Sequence, residues 1–243
     1  MVTVVFRDND EEAIEDVMSA LKEKFPSITS LFYVVNQKKN DTLYDQEHLL
    51  YHGKPKMEES LGSIKYKIGP KSFFQTNSIQ AKKLFDIAVE FADIQKTDIV
   101  YDLYTGLGSI ALYIANQCKE VYGIEEIPQA IEDAKENQAV NGIENASFFA
   151  GDCKEILTID FMEKYGKPNV VITDPPRAGM HETVVNTLLH IESPKIVYIS
   201  CNPATQARDL VLLNEKYDLI KVKPVDMFPH TQHIESVALL KLR

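Results

Sequence analysis

The chain has 243 residues, 44% hydrophobic and 26% charged, an ordinary soluble globular composition with room for one large α/β domain and a smaller element. A formal net charge of −10 speaks against a nucleic-acid partner, because phosphate binding needs Lys and Arg, yet Lys38 to Lys83 carries nine lysines against five acids. No stretch approaches the roughly 18 apolar residues of a membrane span, and the amino terminus lacks the basic and apolar regions of a secretion signal, so a cytoplasmic protein is expected.

Residues 2–7 alternate loosely as a strand, and apolar residues at 14, 17, 18, 21 and 25 predict a helix from Glu11 to Phe25 that Pro26 stops. Leu31 to Asn36 reads as a strand and Asn36 to Asp41 as a loop. Short strands follow from Leu49 to Phe74, with turns at His52-Gly53 and Gly69-Pro70, so a small α+β subdomain is expected over 1–70. Asn77 to Ala92 has helical spacing. From Asp98 strands alternate with helices, which implies a parallel sheet covered on both faces and a catalytic domain over 71–243. The strands expected are 98–103, 120–124, 146–149, 169–173, 195–199, 217–223 and 234–241. The helices between them are 108–116, 127–139, 152–163, 181–190 and 204–213. The last two strands would close the sheet as a hairpin.

Three strand ends carry chemistry. Asp102-Leu-Tyr-Thr-Gly106-Leu-Gly108 follows a strand and opens a helix, so the backbone can approach a ligand closely. Glu125 ends the next strand 17 residues after Gly108, where a carboxylate can take both hydroxyls of a ribose, and Gly151-Asp152 follows the third. These features suit NAD or S-adenosylmethionine, and Glu125 and Asp152 also fit as caps of the helices after them. The acid at 102 favours S-adenosylmethionine, since it would oppose a pyrophosphate.

Asp174-Pro-Pro-Arg177 ends the fourth strand, and two prolines there fix an extended turn. Tyr198-Ile-Ser-Cys201-Asn-Pro203 puts a thiol at the end of the fifth, where ligands bind in an open sheet. The three cysteines, Cys118, Cys153 and Cys201, lack metal-like spacing and fit reduced thiols. Phe228-Pro-His230-Thr-Gln-His233-Ile-Glu235 offers two His and a Glu but no third defined ligand, so no metal is expected. Glu235 leads into an apolar strand, a costly position unless the carboxylate has a task such as removing a carbon-bound proton.

With these motifs in order, joined by Phe73-Phe-Gln75-Thr-Asn77, the chain closely resembles the RNA (uracil-5-)methyltransferases, which form 5-methyluridine in ribosomal or transfer RNA. The resemblance runs from about 73 to 235. It implies an α/β fold: a Rossmann-like sheet of the class I S-adenosylmethionine-dependent methyltransferases, behind a small amino-terminal α+β subdomain facing RNA. Gln75, Tyr104, Glu125 and Asp174 would contact S-adenosylmethionine, with Gly106 and Asp152 nearby. Cys201 would be the nucleophile and Glu235 the base, acting on an unstacked uridine. Full-length members usually add an amino-terminal RNA-binding barrel, and many an iron–sulfur cysteine cluster. Neither is visible here, so a central and catalytic portion is expected.

Overall fold

The amino-terminal strands build a small layer of their own. In the computed structural model, which describes residues 1–40, 42–43 and 45–243, β1 (Val2–Phe6), α1 (Glu11–Lys24) and β2 (Ser30–Val35) form a β-α-β unit. β1 lies parallel to β2, with Val2 opposite Leu31, and β3 (Leu49–Gly53) adds antiparallel on the other side of β2. Asp10 caps α1 by accepting from the Ala13 amide at 3.1 Å. The helix buries Ile14 and Met18 against Leu31. The loop expected over 36–41 is irregular through Asn40; Asp41 lies outside the described residues.

β4 (Met57–Leu61) and β5 (Ile64–Ile68) pair as a two-stranded sheet. The chain divides there into two compact units: Met1–Glu59 with Lys67–Phe73, and Ser60–Tyr66 with Phe74–Arg243. Within the second unit the hairpin tip is pinned at Asn141, whose amide oxygen accepts from the Lys65 amide at 2.9 Å and whose Nδ2 donates to the Lys65 carbonyl at 2.7 Å.

The second unit runs α2 (Ser78–Ala92), β6 (Ile99–Leu103), α3 (Ser109–Ile114), β7 (Glu120–Glu125), α4 (Pro128–Val140), β8 (Ala146–Ala150), α5 (Cys153–Ile156) and α6 (Ile159–Tyr165). It continues with β9 (Val170–Thr173), α7 (Glu182–Ile191), β10 (Lys195–Ser200), α8 (Pro203–Leu213), β11 (Tyr217–Val225) and β12 (Glu235–Leu242). Its seven strands lie in the order β8-β7-β6-β9-β10-β12-β11. β12 is antiparallel to both neighbours, which gives the expected closing hairpin. The segment expected as one helix over 152–163 is two. Thr158 ends the first and restarts the chain, its hydroxyl accepting from the Phe161 amide at 3.2 Å.

Side chains alternate across the pleat. Tyr101, Leu103, Ile196 and Tyr198 point into a core shared with Val185 and Leu188 of α7 and Phe161 of α6. Asp102 faces the opposite way, toward Ala111 of α3, and Gly108 at the start of α3 lies against Ala134 of α4, so helices cover both faces. The topology fixes where a ligand can sit. From β6 the chain steps to β7 and β8, then returns to place β9 on the other side of β6. Connections leaving β6 and β9 therefore diverge, and the crevice opens at their carboxyl ends.

Candidate active site

At the end of β6 the buried Asp102 carboxylate braces the glycine turn. Its Oδ2 accepts from Thr105 Oγ1 at 2.5 Å and from the Ala111 amide at 3.0 Å. Its Oδ1 is buried with no hydrogen-bond partner among the described residues. Burial raises this carboxyl to about 7, against the two hydrogen bonds that favour the charged form. Asp102 thus shapes the turn, a task the sequence pattern did not reveal. Tyr104 holds φ at +62°, unusual for a side chain with a Cβ and a form of strain that gathers at functional sites. Gly106 follows at φ +56°, with no atom of the described residues, its chain neighbours aside, within 4 Å of where a Cβ would stand.

Glu125 closes the same turn from β7. Its Oε2 accepts from the Gly106 amide at 3.1 Å and its Oε1 from the Ile127 amide at 3.0 Å. Glu125 thus steadies the entry to α4 and lies against the glycine loop. Asp152 caps α5, accepting from the Lys154 amide at 3.0 Å and pairing with Lys154 Nζ at 2.9 Å. That lysine holds its carboxyl below the ordinary range. Gln75 is half-buried on the segment before α2. Two residues on, Asn77 Nδ2 donates to the Met227 carbonyl at 2.9 Å, and Gln80 Nε2 donates to the Asp226 carbonyl at 2.7 Å. The segment is thus anchored to the β11–β12 connection, some 150 residues away in sequence.

The second half of the site is built at the ends of β9, β10 and β12. Ser200 is opposite Ser236 in the β10–β12 ladder, so Cys201 and Glu235 emerge one step beyond the last pair. Asn202 caps α8 through the Ala204 amide at 3.1 Å and donates Nδ2 to the Arg177 carbonyl, also at 3.1 Å. Glu235 is 9% exposed, and its Oε2 is buried without a hydrogen-bond partner among the described residues. Burial lifts its carboxyl to about 7, with Arg177 acting the other way. Burial also pushes Asp174 well above the usual carboxylate range, reinforced by the charges of Glu235 and Asp102. The half-buried Cys201 thiol is raised by burial and by Glu235 and Asp174, and Arg177 opposes them.

One supporting network was not foreseen. Asp209 on α8 is buried and accepts from Tyr198 Oη at 2.7 Å, the Met180 amide at 2.8 Å and Arg208 Nε at 2.8 Å. Gln206, one turn earlier, donates to the carbonyls of Tyr198 at 2.9 Å and Ser236 at 3.2 Å, joining β10 to β12 beside the thiol and the acid. The available signal was spacing, since Gln206 and Asp209 share the helix face of buried Leu213. Asp209→Ala should cost about 2–4 kcal/mol in denaturant unfolding, because it strands a buried hydroxyl and amide. A loss below about 1 kcal/mol would remove that role.

Over residues 1–243 the chain matches the family described as tRNA (uracil-5-)-methyltransferase. The chain belongs to that family. Its fold is that of the class I S-adenosylmethionine-dependent methyltransferases. It is 57% identical over 242 residues to an uncharacterized RNA methyltransferase of Porphyromonas gingivalis, covering 99% of this chain and 52% of that one. A second, from Bacteroides thetaiotaomicron, is 51% identical over 243 residues, covering 100% and 54%. The tRNA (uracil-54, C5)-methyltransferase of Pyrococcus abyssi, solved with S-adenosyl-L-homocysteine, is 34% identical with a TM-score of 0.75, over 90% of this chain and 52% of that one. The chain spans about half the length of the curated relatives it matches. Among the described residues no helix is long and apolar enough to cross a membrane.

Proposed function

We propose that this protein methylates carbon 5 of a uridine in ribosomal or transfer RNA, using S-adenosylmethionine, with Cys201 as nucleophile and Glu235 as base. The observation that carries the reading is the pairing of a thiol with a buried carboxylate, one of whose oxygens has no hydrogen-bond partner among the described residues, at adjoining strand ends. Residues 71–243 would form the catalytic domain, and 1–70 a remnant of a central, RNA-facing subdomain.

The glycine turn suits the cofactor. Space is open over Gly106, Asp102 offers an unpartnered oxygen, and the carboxylates nearby suit a cationic amino acid and a ribose better than a pyrophosphate. Gln75, Tyr104, Gly106, Glu125, Asp152 and Asp174 would hold it. When bound, it supplies an electrophilic methyl group.

The residue types then follow from the substrate. Carbon 5 of uracil is a poor nucleophile. Attack of the Cys201 sulfur on carbon 6 forms a sulfur–carbon bond and sends the ring's double-bond electrons into an enolate. Carbon 5 of that enolate can take the methyl group. Glu235 then accepts the carbon 5 proton, the freed pair restores the double bond, and the carbon–sulfur bond breaks to return the thiolate. A carboxyl raised to about 7 is a stronger base than an ordinary glutamate and still ionised in part at neutral pH.

The test is a denaturing gel of the protein mixed with S-adenosylmethionine and RNA containing 5-fluorouridine. Fluorine cannot leave as a proton does, so the methylated intermediate should stay bonded to the thiol as a shifted band. Methyl transfer to an RNA nitrogen, retained by Cys201→Ala, would overturn the reading. Glu125→Ala should weaken S-adenosylmethionine binding about ten- to a hundredfold by calorimetry, since it removes a charged acceptor that also steadies the glycine turn. Unchanged affinity would sink the ribose assignment.

A further inference from the structure

Arg177 is exposed at the mouth of a cavity of about 320 Å³, which it lines together with Cys201, Asn202 and His233. We propose that Arg177, held in place by His233, is the cation that favours the Cys201 thiolate against the neighbouring carboxylates in the methylation proposed above, on which this inference rests.

The argument begins with charge. The thiol must ionise beside two carboxylates, Glu235 and Asp174, and both oppose a negative sulfur. Arg177 works against them as a positive charge that lines the same cavity as the thiol. It also acts on Glu235 in the sense that favours the carboxylate. A single positive charge therefore acts in the favourable sense on both groups that the reaction needs ionised.

Position is fixed at both ends of the residue. Its backbone follows two prolines, and its carbonyl accepts from Asn202 Nδ2 and Thr205 Oγ1, each at 3.1 Å. The stem is thus tied to the turn that carries the thiol. At the other end Nη2 lies 2.8 Å from His233 Nδ1. A guanidinium only donates, so Nδ1 must present its lone pair and the imidazole is neutral in this contact. His233 is itself held, its amide donating to Thr231 Oγ1 at 3.1 Å, while that hydroxyl donates to the Phe228 carbonyl at 2.9 Å.

The choice of a neutral acceptor has a consequence. A carboxylate at position 233 would fix Arg177 equally well but would cancel its field at the sulfur. Imidazole positions the cation and leaves its charge intact, so His233 is a positioning residue. In the ionisation the thiol proton passes to solvent through the open cavity and its electron pair stays on sulfur. The guanidinium keeps all its protons.

The experiment follows the alkylation of Cys201 by iodoacetamide against pH, read cysteine by cysteine by peptide mass spectrometry on the whole chain. It uses neither RNA nor cofactor, so it does not depend on the methylation reading. Arg177→Gln should move the half-maximal pH upward by about one unit or more and slow the reaction at pH 8 about tenfold. Arg177→Lys should restore part of the shift, and His233→Ala should move it the same way by less. Continued protection of the buried Cys118 and Cys153 reports that each variant is folded. An unchanged profile in folded Arg177→Gln overturns the proposal. A shifted profile in a protein that transfers no methyl group supports the pairing and removes only the methylation reading.

Discussion

Cys201→Ala should bring methyl transfer to RNA down to background while leaving S-adenosylmethionine affinity within about twofold. Without the thiol no bond forms at carbon 6, carbon 5 never becomes an enolate carbon, and no neighbouring group can replace that step. Of the residues proposed to hold the cofactor, Gly106, Glu125 and Asp152 sit at other strand ends, so their hydrogen bonds are untouched. The fold should also survive. Cys201 is half-buried, and the turn around it is held by Ser200 and Asn202, whose bonds do not involve the sulfur. A thermal midpoint close to that of the parent, with radioactive methyl transfer to RNA and cofactor titration run side by side, separates loss of chemistry from loss of structure. Transfer at more than a few per cent of the parent rate would exclude the covalent route.

Much of this arrangement is legible in the sequence because strand ends punctuate themselves. An apolar run that stops at Asp-Pro-Pro or Cys-Asn-Pro declares both the end of the strand and the residue offered at the crevice. The glycine turn and Glu125 are legible for the same reason. What stays hidden is long-range. Nothing local says that Asn77 and Gln80 are tied to the carbonyls of Met227 and Asp226, or that Arg177 and His233, 56 residues apart, share a hydrogen bond. The Asp209 network is hidden too, since a lone acid on a helix reads as a solvated residue until its three partners are placed around it. The split of 152–163 into two helices depends on one threonine hydroxyl, a choice that apolar spacing cannot make. Local signals thus position single groups, whereas tertiary contacts decide which of them act together.

Glu235→Gln should give the opposite phenotype to Cys201→Ala, a covalent protein–RNA adduct that forms and persists. An amide can occupy the pocket but cannot accept the carbon 5 proton, so methylation proceeds and release slows by roughly 10²–10⁴. Quenched time points on a denaturing gel should show a methylated adduct with unmodified RNA, which the parent resolves too fast to trap. Rapid release by the variant would take the base role away from Glu235. Stability offers a second check with a definite sign. The folded-state carboxyl is raised from 4.5 to about 7, so between those values the folded protein binds more protons than the unfolded chain. The contribution of Glu235 is therefore fully present below pH 4.5, declines as pH rises, and is lost above about 7. Gln does not titrate, so the variant should gain on the parent across that window, by on the order of 3 kcal/mol between pH 4 and pH 8. An unpartnered amide in the same buried place shifts the variant by a constant amount at every pH, and the difference between the two pH values removes that constant. Parallel melting curves at pH 4 and pH 8 would mean that the Glu235 carboxyl is not desolvated. A poised base would then have to be sought among Asp174 and the other carboxylates facing the thiol.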